Sequence, residues 1–207
     1  MKLNIDKFKT QDKIVQIYNP SEIGKSLKDY QKDSKKIVSC GRIDSQKGFD
    51  MLVDVAEKVL RKHSDWEWHI YGDGPKKEEL IKKISEKKLE QNVKLMGKTN
   101  KMNELYSEYA MFVMTSRYEG FAMVNIEAHF AKLPIVSFNC NCGPDEIIQD
   151  GINGYLVNCF DIDEMAERIN SLIENQNLRI EMSQNTFLDK EKLKMDNIMK
   201  EWDKILQ

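Results

Sequence analysis

The sequence predicts an α/β domain, a doubly wound parallel sheet of about six strands with extra helices at its C-terminal end. Three observations predict it. From Lys36 onward, short apolar runs alternate with segments of helical periodicity. The apolar runs are continuous rather than alternating, as strands covered on both faces must be. The residue types suited to chemistry follow the strands, where ligands sit in such sheets. Together these make the domain Rossmann-like.

The elements follow in order. KIVSC at 36–40 reads as a buried strand ended by Gly41. Residues 48–62 read as a helix, with Phe49, Leu52, Val53, Ala56, Val59 and Leu60 on one face. WEWHIYG at 66–72 is the next strand, closed by the turn Gly72-Asp73-Gly74-Pro75. A heavily charged helix at 76–88 precedes the strand NVKLMG at 92–97. A short helix near 101–108 leads to the strand AMFVMTS at 110–116, and a helix runs from about Ala122 to Ala131. PIVSF at 134–138 is a buried strand, 144–149 can make one short helix, and GYLV at 154–157 is the last strand. The helix at 161–174 buries Ile162, Met165, Ala166, Ile169, Leu172 and Ile173, with Asp161 and Glu164 placed for a capping box. Two further helices fill 177–187 and about 189–206. The first 35 residues differ: one short strand at 14–18, then Asn19-Pro20 and a polar stretch. They read as an arm or linker, because they cannot bury enough apolar surface alone.

Composition excludes several classes. The chain has 207 residues, 41% hydrophobic and 32% charged, which fits one large domain and not a disordered protein. A net charge of −2 offers no basic stripe for nucleic acid. No apolar run approaches the length of a membrane span, and the charged start MKLNIDKFKTQDK lacks the apolar region of a secretory signal. Cys40, Cys140, Cys142 and Cys159 give neither a disulfide framework nor the two close pairs of a zinc site. They read as free thiols of a reducing cytoplasm, and no metal site is expected. His63, His69 and His129 are scattered and form no triad, and surface or core roles are expected for them. The lysine-rich stretch KKISEKKLE reads as a solvated helix face.

Two segments can carry chemistry. GRIDSQKGFD at 41–50 follows the first strand of the domain and opens a helix, with Arg42 and Lys47 flanking the loop. Two cations beside a helix N-terminus suit a diphosphate. The segment is neither a Walker A loop nor a GxGxxG fingerprint. Solvated surface cations fit the same residues. SRYEGFAMVNIEAHF at 116–130 places Glu119 in a loop, Gly120 where backbone can approach a ligand, and Glu127 eight residues on in the second turn of a helix. A carboxylate there can accept two hydrogen bonds from the vicinal hydroxyls of a ribose. The N–H groups of Phe121, Ala122, Met123 and Val124 can meet a sugar and a phosphate. An ordinary helix-start acid and a surface Glu fit the same spacing.

These residues reach a resemblance. The pair E-x7-E in EGFAMVNIE, with SRY before it and Ala128 after it, resembles the family 4 retaining glycosyltransferases. GRIDSQKG resembles that family's Gly-Arg-(x4)-Lys-Gly element, and YGDGP its Gly-x-Gly-Pro turn. NVKLMG is similar to the strand before its base-binding loop. LPIVSF followed by GPDEIIQDGINGYLV is similar to the tail of the same domain. Five elements occur in family order over roughly 37–187.

The resemblance implies the C-terminal half of a GT-B enzyme, in which two Rossmann-like domains face across a cleft. It implies an arm or interdomain linker at 1–35 and a nucleotide-sugar domain at 36–187. It also implies a helix at 188–207 that packs toward an N-terminal domain for which this chain has no room. Arg42 and Lys47 would hold the donor diphosphate, Glu119 would contact the transferred sugar, and Glu127 the ribose. Arg42, Lys47 and Glu119 would be the catalytic residues. The Gly120-Phe121 backbone would sit near sugar and phosphate, with Ala122, Met123 and Val124 beside it, and Gly97 and Lys98 near the base. Ala122 stands where the family often has Gly, and His129 where it often has Met. The donor is expected to be a UDP-sugar and the acceptor a glycan or lipid-linked acceptor in polysaccharide biosynthesis, with no cofactor or metal. The location is expected to be cytoplasmic, the full enzyme touching the membrane peripherally at most. Two other functions remain open, a nucleotide-sugar epimerase of the same fold and a non-catalytic partner-binding module.

Overall fold

A computed structural model describes residues 17, 19, 30–141, 143–186 and 195–206. The expected strand at 14–18 (Ile17 apart), Pro20, Cys142 and the start of the last helix lie outside the described residues.

Six strands form one parallel sheet: β1 (Lys36–Cys40), β2 (Glu67–Tyr71), β3 (Val93–Gly97), β4 (Met111–Met114), β5 (Ile135–Phe138) and β6 (Gly154–Val157). Their spatial order is β3-β2-β1-β4-β5-β6, the Rossmann order. The chain therefore reverses its direction of winding between β1 and β4. Helices connect the strands: α1 (Phe49–Leu60), α2 (Lys77–Glu86), α3 (Met102–Leu105), α4 (Met123–Phe130), α5 (Pro144–Ile147) and α6 (Ile162–Glu174). Then follow α7 (Gln176–Gln184) and α8 (Met195–Leu206).

Alternation along the strands divides the core into two layers. Ile37, Met111, Val113 and Val136 pack with α1, α2 and α6 on one face. Val38, Phe112, Met114 and Ile135 pack with α4 and α5 on the other. Helix α1 is buried more fully than a single stripe requires, since Met51 and Val55 are buried as well as the six predicted positions. The buried polar group Ser39 is satisfied: Trp68 Nε1 donates to its Oγ at 3.1 Å, and that Oγ donates to the Val113 carbonyl at 2.6 Å.

The sequence and the structure differ mainly at element ends. Strand β4 stops at Met114 rather than Ser116, because its pairing with β5 ends there, and Thr115 beyond it turns its hydroxyl onto the Gly48 carbonyl at 3.0 Å. The short helix expected at 101–108 divides into α3 and a 3-10 turn at Tyr106–Glu108. Asp161 caps α6 by accepting from the Glu164 N–H at 2.9 Å. The Glu164 carboxylate turns to Arg168 at 3.3 Å, so only half of the predicted capping box is made. Lys83 and Lys87 of the lysine-rich stretch are not simply solvated, since both pair with Asp54 of α1.

Candidate functional site

The site grows from close contact between the loops that leave the strands. The Gly41 N–H donates to the Tyr71 carbonyl at 3.0 Å, and the Gly72 N–H to the Gly97 carbonyl at 2.8 Å. The Ile43 N–H donates to the Asp73 carbonyl at 2.9 Å. A Cβ on Gly72 would stand 1.9 Å from the Gly41 oxygen, so this approach requires glycine. Beyond it opens a cleft of about 740 Å³ at the carboxyl ends of β1, β2 and β3. Arg42, Asp73, Lys98 and Glu127 supply its charges.

On the other side of the cleft floor, Gly48 caps α1 in a left-handed conformation, φ 64°. A Cβ there would lie 2.1 Å from the Thr115 carbonyl oxygen, and so the loop after β1 is pressed against the end of β4. The two loops are then joined by side chains. The Arg117 guanidinium takes the Asp50 carboxylate through two bonds, 2.8 and 2.6 Å, and donates to the Ser45 carbonyl at 2.8 Å. The Arg117 N–H reaches the Gln46 carbonyl at 2.8 Å, and Gln46 Nε2 returns to the Tyr118 carbonyl at 3.1 Å. Lys47 Nζ closes the junction on Glu119 Oε1 at 2.7 Å, with side chains 17% and 5% exposed.

The sequence-predicted residues fall into two groups. Arg42, Lys98 and Glu127 come together along the cleft. Among the described residues Arg42 is paired with Asp44 alone, at 3.8 Å, and its side chain is 73% exposed. Lys98 is paired as loosely, with Asp73 3.8 Å away. Lys47 and Glu119 pair with each other beside the cleft, the Lys47 stem packed against Gly41 of its lining. Gly97 ends β3 at φ 74°. Gly120 faces open space. The Phe121 carbonyl accepts from the Met123 N–H at 2.8 Å. Buried Ala122 holds the α4 N-cap position without a side-chain bond, and Met123 and Val124 form the first turn. Amides at such a turn lack helical acceptors and favour an anion.

Glu127 carries the most informative electrostatics. Burial pushes its carboxyl above the usual range, while a hydrogen bond from the Tyr106 hydroxyl, 3.2 Å to Oε2, pulls the other way. The Tyr106 hydroxyl also lies 3.1 Å from Cys40 Sγ. Burial lifts the Cys40 thiol to about 12, so it is protonated at neutral pH and no nucleophile. His69 is a core residue, its Nδ1 2.9 Å from the Tyr109 hydroxyl and its Nε2 2.8 Å from Glu67.

No local pattern in the sequence points to Arg117, Asp50, Gln46 or Tyr106. Each acts on a partner 21 to 72 residues away, so no local spacing marks it. Arg117 lay inside the SRYEG stretch, next to the acid that it helps to place.

No helix among the described residues is long and apolar enough to cross a membrane. Comparisons with known proteins agree with the geometry. The family model for glycosyl transferases group 1 matches residues 24–189. A poly(ribitol-phosphate) α-N-acetylglucosaminyltransferase of Staphylococcus aureus is 35% identical over 193 residues, 92% of this chain and 39% of that protein. The amylovoran biosynthesis glycosyltransferase AmsD of Erwinia amylovora is 33% identical over 177 residues, 86% of this chain and 49% of that protein. A crystal structure of a Staphylococcus aureus TarM mutant with fondaparinux, α-GlcNAc-glycerol and UDP superposes with a TM-score of 0.88 at 31% identity. That match covers 98% of this chain and 41% of the other. The chain spans about half, or less, of the length of these curated relatives. The sheet order, the paired loops and the family match lead to one assignment: the chain belongs to the group 1 glycosyl transferases.

Proposed function

We propose that this chain is the donor-binding domain of a family 4 retaining glycosyltransferase. The whole enzyme would move a hexosyl group from a nucleotide-diphosphate sugar, a UDP-sugar by preference, to a glycan or lipid-linked acceptor in polysaccharide biosynthesis. One observation carries the reading. The cleft at the carboxyl ends of β1, β2 and β3 holds two weakly paired cations, Arg42 and Lys98, and a half-buried carboxylate, Glu127. A diphosphate and a ribose need those charges. The UDP in the TarM complex supports the choice of base.

In this reading Glu127 accepts from the ribose hydroxyls, and Lys98 and Gly97 border the base. Arg42 and the first-turn amide of Val124 meet the diphosphate, the Met123 N–H being already given to the Phe121 carbonyl. Lys47 has three N–H donors, so it can keep Glu119 and still reach a phosphate oxygen. Glu119 is thereby fixed beside the transferred sugar, next to the exposed Gly120 and Phe121 backbone. Breaking the sugar–phosphate bond leaves charge on the diphosphate, and these fixed donors stabilise it without a metal. Removing one such cation would cost about 2.7–4 kcal/mol of transition-state stabilisation, by analogy with an oxyanion donor. The acceptor would be held by the rest of the longer enzyme, so this chain alone binds donor and transfers nothing. The arm 1–35, the domain 36–187 and the helix 188–207 are parts of the same proposal. So is a cytoplasmic location, to which the free thiols of Cys40, Cys140 and Cys159 lend support.

Calorimetric titration with UDP, GDP and ADP tests the reading. Selective UDP binding is expected, weakened about tenfold by Arg42→Ala and by Glu127→Ala, as for lost charge-assisted hydrogen bonds. Equal affinity for all three nucleotides, or indifference to both substitutions, would overturn it.

A further inference from the structure

We propose that Tyr106 is a positioning residue: it holds one oxygen of Glu127 and leaves the other as the acceptor offered to a ligand diol. The inference rests on the donor-site reading of Glu127.

Tyr106 lies on the 3-10 turn before β4 and is fully buried. Its ring is fixed edge-on against Phe112, centroids 6.1 Å apart. Its hydroxyl has two neighbours, Glu127 Oε2 at 3.2 Å and Cys40 Sγ at 3.1 Å. Counting protons orders them. An ionised carboxylate only accepts, so the single phenolic hydrogen goes to Glu127. The Cys40 thiol keeps its hydrogen and donates it to the Tyr106 oxygen. The result is a polarised chain, thiol to phenol to carboxylate, ending at a residue on the cleft wall.

The chain fixes the carboxylate in rotation. Oε2 is held from below, and Oε1 makes no hydrogen bond to the described residues. A rigid planar acceptor meets a vicinal diol without first losing rotamer freedom. The same bond favours the charged form, which burial disfavours. Tyr106 thus supports both the geometry and the charge that the diol needs.

The test uses Tyr106→Phe, which keeps the buried ring and removes only the hydroxyl. UDP is titrated into wild type, Tyr106→Phe, Glu127→Ala and the double variant. Tyr106→Phe is expected to weaken UDP about five- to tenfold, and the double variant to bind no worse than Glu127→Ala. A second readout needs no nucleotide: the carboxyl carbon shift of labelled Glu127, followed against pH, should move to a higher midpoint in Tyr106→Phe. A purely structural tyrosine would lower the melting temperature and leave the titration and the affinity in place, which overturns the proposal. Losses that multiply in the double variant overturn it too. If Glu127→Ala binds UDP as wild type does, the donor-site reading fails instead, and an unmoved carboxyl midpoint in Tyr106→Phe then removes Tyr106 from any hold on Glu127.

Discussion

When it is ionised, Glu127 costs the fold stability. Its carboxyl lies above the ordinary range because burial disfavours the ion. Between the unfolded value and the raised folded value, the folded chain binds more protons than the unfolded one. Stability therefore falls as pH rises through that window and stays lower above it. Gln at this position is neutral at every pH and still accepts from Tyr106. Glu127→Gln should accordingly melt higher than wild type near neutral pH, and the difference should shrink toward zero below the ordinary carboxylate range. Thermal melts across that range check it, and an equal or lower melting temperature at neutral pH would contradict it. The placement of Glu119 in a loop and Glu127 in the second turn of a helix was legible from local pattern, while their proposed roles came from the family resemblance. Tyr106 was not legible, since its meeting with Glu127 and Cys40 exists only once β1, β4 and α4 are packed.

Between elements, the decisive contact is the junction of the loop after β1 with the loop after β4. Asp50 sits in the first turn of α1, where a carboxylate is favoured, and the Arg117 guanidinium holds its carboxyl below the usual range. That contribution is present above the ordinary carboxylate value and is lost as pH falls through the depressed one. Through Ser45, Gln46 and Tyr118 the same arginine sets how Lys47 meets Glu119. Arg117→Met should lower stability by about 1–2 kcal/mol, the range for a partly exposed charge-assisted pair with further backbone bonds. It should also weaken a UDP-sugar more than UDP, because Glu119 faces the sugar in our reading. Equal weakening of the two ligands, by titration, would separate Arg117 from the sugar site. Periodicity gave the presence of each strand and helix from Lys36 onward. It missed where they stop, since backbone pairing of β4 ends at Met114, and Thr115 beyond it bonds to the Gly48 carbonyl at the start of α1.

For the whole molecule, strand order is what turns separate motifs into a site. The continuous apolar runs predict a parallel sheet, yet they do not say that β4 lies beside β1. That neighbourhood brings Arg42 and Lys47 to Glu119 and Glu127. The segment before β1 is also fastened to the sheet domain. Tyr30 donates to the Ala110 carbonyl at 2.8 Å, and buried Arg179 reaches the Lys32 carbonyl at 3.2 Å while covering the last carbonyls of α6. The site thus belongs to a framework held together from Tyr30 through α7. The most direct measurement is a crystal structure of this chain with UDP. The ribose hydroxyls are expected on Glu127 Oε1, and the diphosphate beside Arg42 and the start of α4. UDP bound away from Glu127, for example in the smaller pocket between α1 and α2 that Lys76 and Arg117 line, would contradict it.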